Sequence, residues 1–278
     1  MKPWPTSFIR ISAVAASSLF LVTGVSAQLS KLDDLASQIA KEVKPLKPHL
    51  VAVADFRSPY GSSLQQGHYF ALTLSTLLQD QAKKNFTVAG HTAFDVDLSR
   101  LHLTVEALTP SDSFRDAASK IGVEVLVTGS LEKRGNSYFL QVTPVRIASV
   151  EWLPTLTATI ESNEFFESMF RPFPLDVPVL TNKAAATDLS MPSCVYCPDP
   201  SYSDPARRAK INGYAVFQVL VSPDGQAQQI RPTKLLGYGL DEQGFYAIKS
   251  WKFRPARRTK DGEPVAVIVP VEVTFRLF

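Results

Sequence analysis

The sequence predicts an α+β protein of two domains: a mixed sheet with flanking helices in the N-terminal part, and a small three-stranded antiparallel sheet with two helices in the C-terminal part. Three observations carry this. From Val265 to Leu277 every odd position is apolar, the period-two pattern of a strand with one face on a core. Between Leu50 and Ile160, apolar runs of strand length alternate with helix-period stretches. A proline-rich stretch separates the two regions.

The chain opens with Lys2 and Arg10, an uncharged and mostly apolar Ile11–Val25, and Val25-Ser26-Ala27 ahead of Gln28. This is the layout of a cleavable export signal over residues 1–27. The rival reading is an uncleaved membrane anchor. Ser12, Ser17, Ser18 and Thr23 dilute the apolar run, and it is short for a spanning helix. No cysteine follows it, so a lipid anchor at that point is excluded.

Residues 28–170 form the expected N-terminal domain. Leu32, Leu35, Ile39 and Val43 share a face of a helix over Ser30–Lys44, which Pro45 and Pro48 end. Leu50–Phe56 is a continuous apolar run and reads as a buried strand. Ser62–Lys83 reads as a long helix through Leu64, Ala71, Leu74 and Leu78, and Asn85–Ala89 as a short strand. Ser113–Ile121 is expected to be helical and Val123–Ser130 a second buried strand. Gly135-Asn136 is a two-residue turn into Tyr138–Ile147. Thr155–Ile160 alternates, and Asn163–Phe170 suits a last short helix.

Residues 171–203 are the linker, with Pro172, Pro174, Pro178, Pro192, Pro198 and Pro200, and are expected to be extended and semi-rigid. Residues 204–278 form the C-terminal domain. Asp204 is expected to cap a short helix with Pro205 in its first turn. Ala215, Phe217, Val219 and Val221 alternate in a strand, and Pro223-Asp224-Gly225 turns it into Ala227–Lys234. Asp241 is expected to cap a helix with Phe245, Ile248 and Trp251 on one face, stopping before Pro255.

Two resemblances rest on these residues. The run from Tyr202 resembles the C-terminal domain of TonB-family proteins: Ala206-Arg207, Gly213 before the alternating strand, Asp224-Gly225, Gly239-Leu240-Asp241, Trp251 to Ala256, Asp261 to Val265, and Val273 to Leu277. Gly244 departs from the pattern, since a helix interior prefers Ala there. About a quarter of the chain is covered. The region Leu50–Ile160 is similar to the amino-terminal module of TolB and its relatives among curli-secretion and flagellar outer-membrane lipoproteins. Val51–Phe56, the helix through Leu78, Phe86-Thr87-Val88, Ala117–Val127 and Thr128-Gly129-Ser130 carry that likeness. The second resemblance implies an accessory or assembly role at the envelope and brings no catalytic residues.

Composition narrows the function classes. Hydrophobic content of 45% and charged content of 20% are those of a globular protein. From Pro205 onward there are 12 Lys/Arg against 6 Asp/Glu, while the chain as a whole is +3. A basic C-terminal domain suits a solvated face or an acidic peptide, headgroup or cell-wall polymer. Nucleic acid is not expected as a partner of an exported chain. Cys194 and Cys197 are the only cysteines, and in an oxidising compartment their bland reading is a local disulfide. A redox role would want a helix N-terminus, which the surrounding prolines oppose, and one CxxC is half a zinc site. Pro198 stands where haem attachment needs His. Gly237, Gly239 and Gly244 have the wrong spacing for a dinucleotide loop. His49, His68, His91 and His102 are scattered without metal-ligand spacing, and no second acid or nucleophile accompanies Asp55, so capping or a surface hydrogen bond is its expected role. No enzyme, no cofactor and no metal site is therefore expected.

The function expected is that of a periplasmic TonB-family interaction protein. The alternative is a membrane-tethered energy transducer for outer-membrane transport; such anchors carry a motor-coupling His, and residues 11–27 have none. In TonB-family domains a receptor's short peptide adds as a strand beside the last strand. That resemblance implies docking along Val267, Val269, Val271, Val273 and Phe275, with Arg276, Arg254, Arg257 and Arg258 meeting acidic residues of the peptide. Pro270 fits, because a residue without an amide hydrogen points to an edge strand or a bulge; the rival expectation is an edge covered by the chain's own linker or by a second copy. The partners expected are an outer-membrane receptor or other envelope protein, with peptidoglycan and a second copy of the chain as further candidates.

Overall fold

The structure is a computed structural model that describes residues 9–13, 23–60, 62, 65–100, 116, 119–181 and 188–277. They fall into two compact units. One lies within Val22–Asn163; the other joins Ile9–Ala13 to the chain from Glu164 onward.

The first unit begins with α1 (Thr23–Val43), whose expected face, Leu32, Leu35, Ile39 and Val43, is fully buried. The helix starts seven residues ahead of the expected Ser30 and runs through position 27. Pro45 closes it in a 3-10 turn. Then follow β2 (Leu50–Val53), α2 (Gln65–Ala82), β3 (Thr87–Val88), α3 (His91–Arg100), β4 (Val125–Arg134), β5 (Ser137–Arg146), β6 (Glu151–Trp152) and β7 (Leu156–Glu161). The sheet runs β3-β2-β4-β5-β6, with β7 also on β5. β2 is parallel to β3 and β4, and the β4–β5 hairpin is antiparallel through the expected two-residue turn at Gly135 (φ 59°). Ala52, Ala54, Phe94, Val123, Leu126 and Ile147 form one core cluster. Helix α3 was not expected. The expected helix Ser113–Ile121 lies mostly outside the described residues.

The second unit contains β1 (Ile9–Ala13), α4 (Glu164–Ser168), β8 (Ser193–Tyr196), α5 (Asp204–Arg208), β9 (Gly213–Val221), β10 (Ala227–Lys234), α6 (Leu240–Ser250), β11 (Lys252–Arg254), β12 (Ala256–Arg257), β13 (Pro264–Val265) and β14 (Val267–Phe275). The three expected antiparallel strands are β14, β9 and β10, and β1 adds a fourth on the outer side of β14, parallel to it. Helix α6 packs on β9 and β10. Gly244 has a packing reason: a Cβ there would stand 3.1 Å from the Phe217 ring, so glycine lets the helix approach the sheet.

Two capping expectations are corrected. Ser203, not Asp204, caps α5 by accepting from the Ala206 amide at 3.2 Å. Asp241 lies inside α6, and its carboxylate accepts from the Leu236 and Gly237 amides at 2.7 Å each; Gly239 in the left-handed region occupies the cap position. The linker also differs from a free spacer. Leu180 donates to Ile268 O (2.8 Å), Thr259 donates to Asp188 O (2.7 Å), and Ser190 donates to Arg257 O (2.8 Å). β8 pairs with β11, and the buried Trp251 indole donates to Pro198 O at 2.9 Å.

Candidate functional site

The last strand has one side on β9 and the other turned outward. Ile268 fixes which groups face out: its amide donates to Pro178 O (2.9 Å) and its carbonyl accepts from Leu180. Main-chain groups of an antiparallel strand alternate in direction, and the β14–β9 register carries no shift. Pro270, Glu272 and Thr274 therefore present their main chain to the same outer side as Ile268. Pro270 has no amide to present, so the β9 ladder loses nothing by it.

That outer edge is covered within the chain in two places. Pro178–Leu180 brackets Ile268. Ile9–Ala13 pairs with Val271–Phe275, in the register Ile9 to Val271 through Ala13 to Phe275. The residues of β1 lie inside the expected export signal. Gln28, the first residue after it, is buried; it donates to Glu161 O (2.9 Å) and accepts from Asn163 (2.9 Å).

The expected site residues divide by burial. Val267, Val269, Val271, Val273 and Phe275 all point into the core. Their side chains hold β14 in place and their main-chain groups face β9, so the outward main chain belongs to the even positions between them. Arg254, Arg257, Arg258 and Arg276 are exposed. Arg258 pairs with Asp261 at 2.8 Å and Arg257 donates to Gly262 O at 2.6 Å. Of the neighbouring lysines, Lys249 pairs with Glu164. β12 lies against β13, so Arg257 sits near the start of β14 and Arg276 just past its end. Roughly 30 Å of strand separates them. Arg276 is thus not brought together with the Arg254–Arg258 group, and the Pro178–Leu180 bracket lies at the latter's end of β14. Cys194 and Cys197 are joined in a disulfide in and just beyond β8.

Residues 198–277 match the family described as the Gram-negative bacterial TonB protein C-terminal. The match takes in α5, the β9–β10 hairpin, α6 and β14, the elements that build the edge. No curated protein matches. Among solved structures the chain is similar to the LpoB C-terminal domain from Escherichia coli, at 14% identity and a TM-score of 0.39, over 49% of this chain and 98% of that one. It is similar to the TonB C-terminal domain of Pseudomonas aeruginosa, at 21% identity and a TM-score of 0.26, over 32% of this chain and 87% of that one. TolB from Acinetobacter baumannii is a third, at 10% identity and a TM-score of 0.25, over 67% of this chain and 38% of that one. The family match supports protein–protein interaction at the cell envelope. No helix among the described residues is long and apolar enough to cross a membrane.

One cluster escaped the sequence reading. Asp55, just after β2, receives His68 of α2 at 3.0 Å and His91 of α3 at 2.8 Å. Their spacing in the chain, 13 and 36 residues from Asp55, hides the contact. Burial alone would raise the Asp55 pKa, but the hydrogen bonds and charge of His68 and His91 outweigh it and hold the carboxyl well below its ordinary value.

Proposed function

We propose that the protein is a periplasmic interaction protein that takes a partner's peptide as an added strand along Pro270–Phe275. The carrying observation is that this edge pairs with a strand in the structure, supplied by the chain's own Ile9–Ala13. Export and cleavage before Gln28 remove that strand and uncover this stretch of the β14 edge. An edge strand with unpaired donors and acceptors binds an extended peptide through backbone hydrogen bonds, and neighbouring side chains choose its sequence. Arg276 stands at the open end and favours an acidic residue there. The Pro178–Leu180 bracket closes the other end and keeps the slot short. The disulfide, in an oxidising compartment, agrees with export.

Thr274→Pro tests this. The Thr274 amide faces away from β9, so proline leaves the β9 ladder intact and removes one donor to the guest strand. The variant of the mature chain is expected to keep its thermal midpoint within a few degrees and to lose envelope partners captured by cross-linking in cells. Capture at the level of the parent chain would count against the reading. A mature N-terminus upstream of Gln28, found by sequencing the purified protein, would favour the tethered alternative.

A further inference from the structure

The Asp55–His68–His91 cluster serves neither the β14 edge nor any role the family match carries. Its construction begins at Gly67. A Cβ at that position would come within 1.7 Å of Phe56 O, so only glycine lets α2 lie directly against the backbone after β2. That approach sets His68 beside Asp55. His91, at the first position of α3, reaches the same carboxylate oxygen.

The contact between His91 and Asp55 lacks a hydrogen when the ring is neutral and the carboxyl ionised. His91 Nδ1 lies 2.9 Å from Val53 O, which can only accept, so Nδ1 carries the hydrogen. Nε2 of that neutral tautomer is an acceptor, yet it faces Asp55 Oδ1 at 2.8 Å, also an acceptor when ionised. A proton, on the ring or on the carboxyl, or a metal ion has to stand between them. His68 Nδ1 approaches the same Oδ1 at 3.0 Å, and the two imidazole rings are 5.0 Å apart. A single divalent ion satisfies both rings and the carboxylate at once.

We propose that Asp55, His68 and His91 form a binding site for a divalent transition-metal ion of the zinc type. Each residue contributes one ligand atom, and the three atoms lie within 4.8 Å of one another. Ligands at about 2.0–2.2 Å from a tetrahedral ion stand ~3.4 Å apart, so small side-chain rotations open the present spacing enough. The Val53 carbonyl holds His91 in the tautomer that turns Nε2 to the ion, the outer-shell support usual for a ligating histidine. The His91 side chain is fully buried, whereas that of His68 is 36% exposed. The ion enters and keeps a solvent ligand on the His68 side. Two imidazoles and one carboxylate suit zinc or a neighbouring first-row ion rather than calcium or magnesium.

The test uses the full mature chain without an affinity tag, stripped with chelator, and titrated with Zn²⁺ by calorimetry and with Co²⁺ by visible absorption. One equivalent is expected to bind, with the absorption bands of low-coordinate Co²⁺. His68→Ala, at a half-exposed position that leaves the core packed, is expected to weaken Zn²⁺ at least tenfold. His91→Gln is expected to abolish the Co²⁺ bands. Absence of stoichiometric uptake would overturn the proposal. So would uptake that His68→Ala and His91→Gln leave unchanged, or ring-nitrogen NMR showing protonated His68 and His91 unaffected by added Zn²⁺.

Discussion

Gly67 decides more of the N-terminal unit than its size suggests. The next residue carries a cluster histidine, and the Gly67 carbonyl accepts from the Phe56 amide at 3.4 Å. An added methyl would meet backbone, which cannot step aside as a flexible side chain can. Gly67→Ala is therefore expected to cost about 1–3 kcal/mol of stability, in the range of overpacked cores. Denaturant melting of purified variant and parent checks it. Equal midpoints and slopes would mean that α2 shifts at no cost and that the close approach is incidental. In the sequence Gly67 looks like an ordinary helix glycine. Asp55 likewise reads as a lone acid, because chain spacing carries no information on which helix turns back over β2.

At the scale of elements, the strands legible beforehand were those with alternation, a continuous apolar run or a tight turn. β9 and β14 follow their alternation, β2 and β4 their apolar runs, and β10 and β5 the turns that lead into them. β8 was not legible. It is four residues long and exposed throughout, so it has no periodicity to read. Its pairing with β11 comes from tertiary docking of the linker. β1 was hidden by an apolar leader pattern that suits export and strand pairing equally. Cys194 and Cys197 close a loop of only a few residues at β8. Loop closure on that scale contributes about 2 kcal/mol at most, and the backbone bonds of the docked linker survive its loss. Thiol titration of denatured, unreduced protein is expected to find no free thiol. Reduction is expected to leave the circular dichroism of both units intact with a modest drop in Tm. Two reactive thiols in native material, or unfolding on reduction, would contradict this.

For the whole molecule, the proposed function makes β14 an acceptor strand, with Ile9–Ala13 filling its slot until export. The charge distribution adds a condition. Arg276 lies at the open end of the slot, while Arg254, Arg257 and Arg258 lie at the bracketed end. Charge reversal of Arg276 is expected to weaken an acidic peptide directly. Reversal at Arg257 and Arg258 is expected to act through long-range attraction and to fade as salt screens it beyond about 10 Å. Equal effects at high salt would mean that the peptide touches both ends and would contradict the short slot. The most direct measurement follows backbone amide shifts of the isotopically labelled mature chain, Gln28–Phe278, as an outer-membrane receptor's N-terminal peptide is added. The account predicts the largest changes at Glu272 and Thr274, smaller ones at Gly213–Ala215 across the sheet, and none at Ile268 under the linker. Changes confined to the unit before Glu164, with Glu272 and Thr274 unmoved, would contradict it.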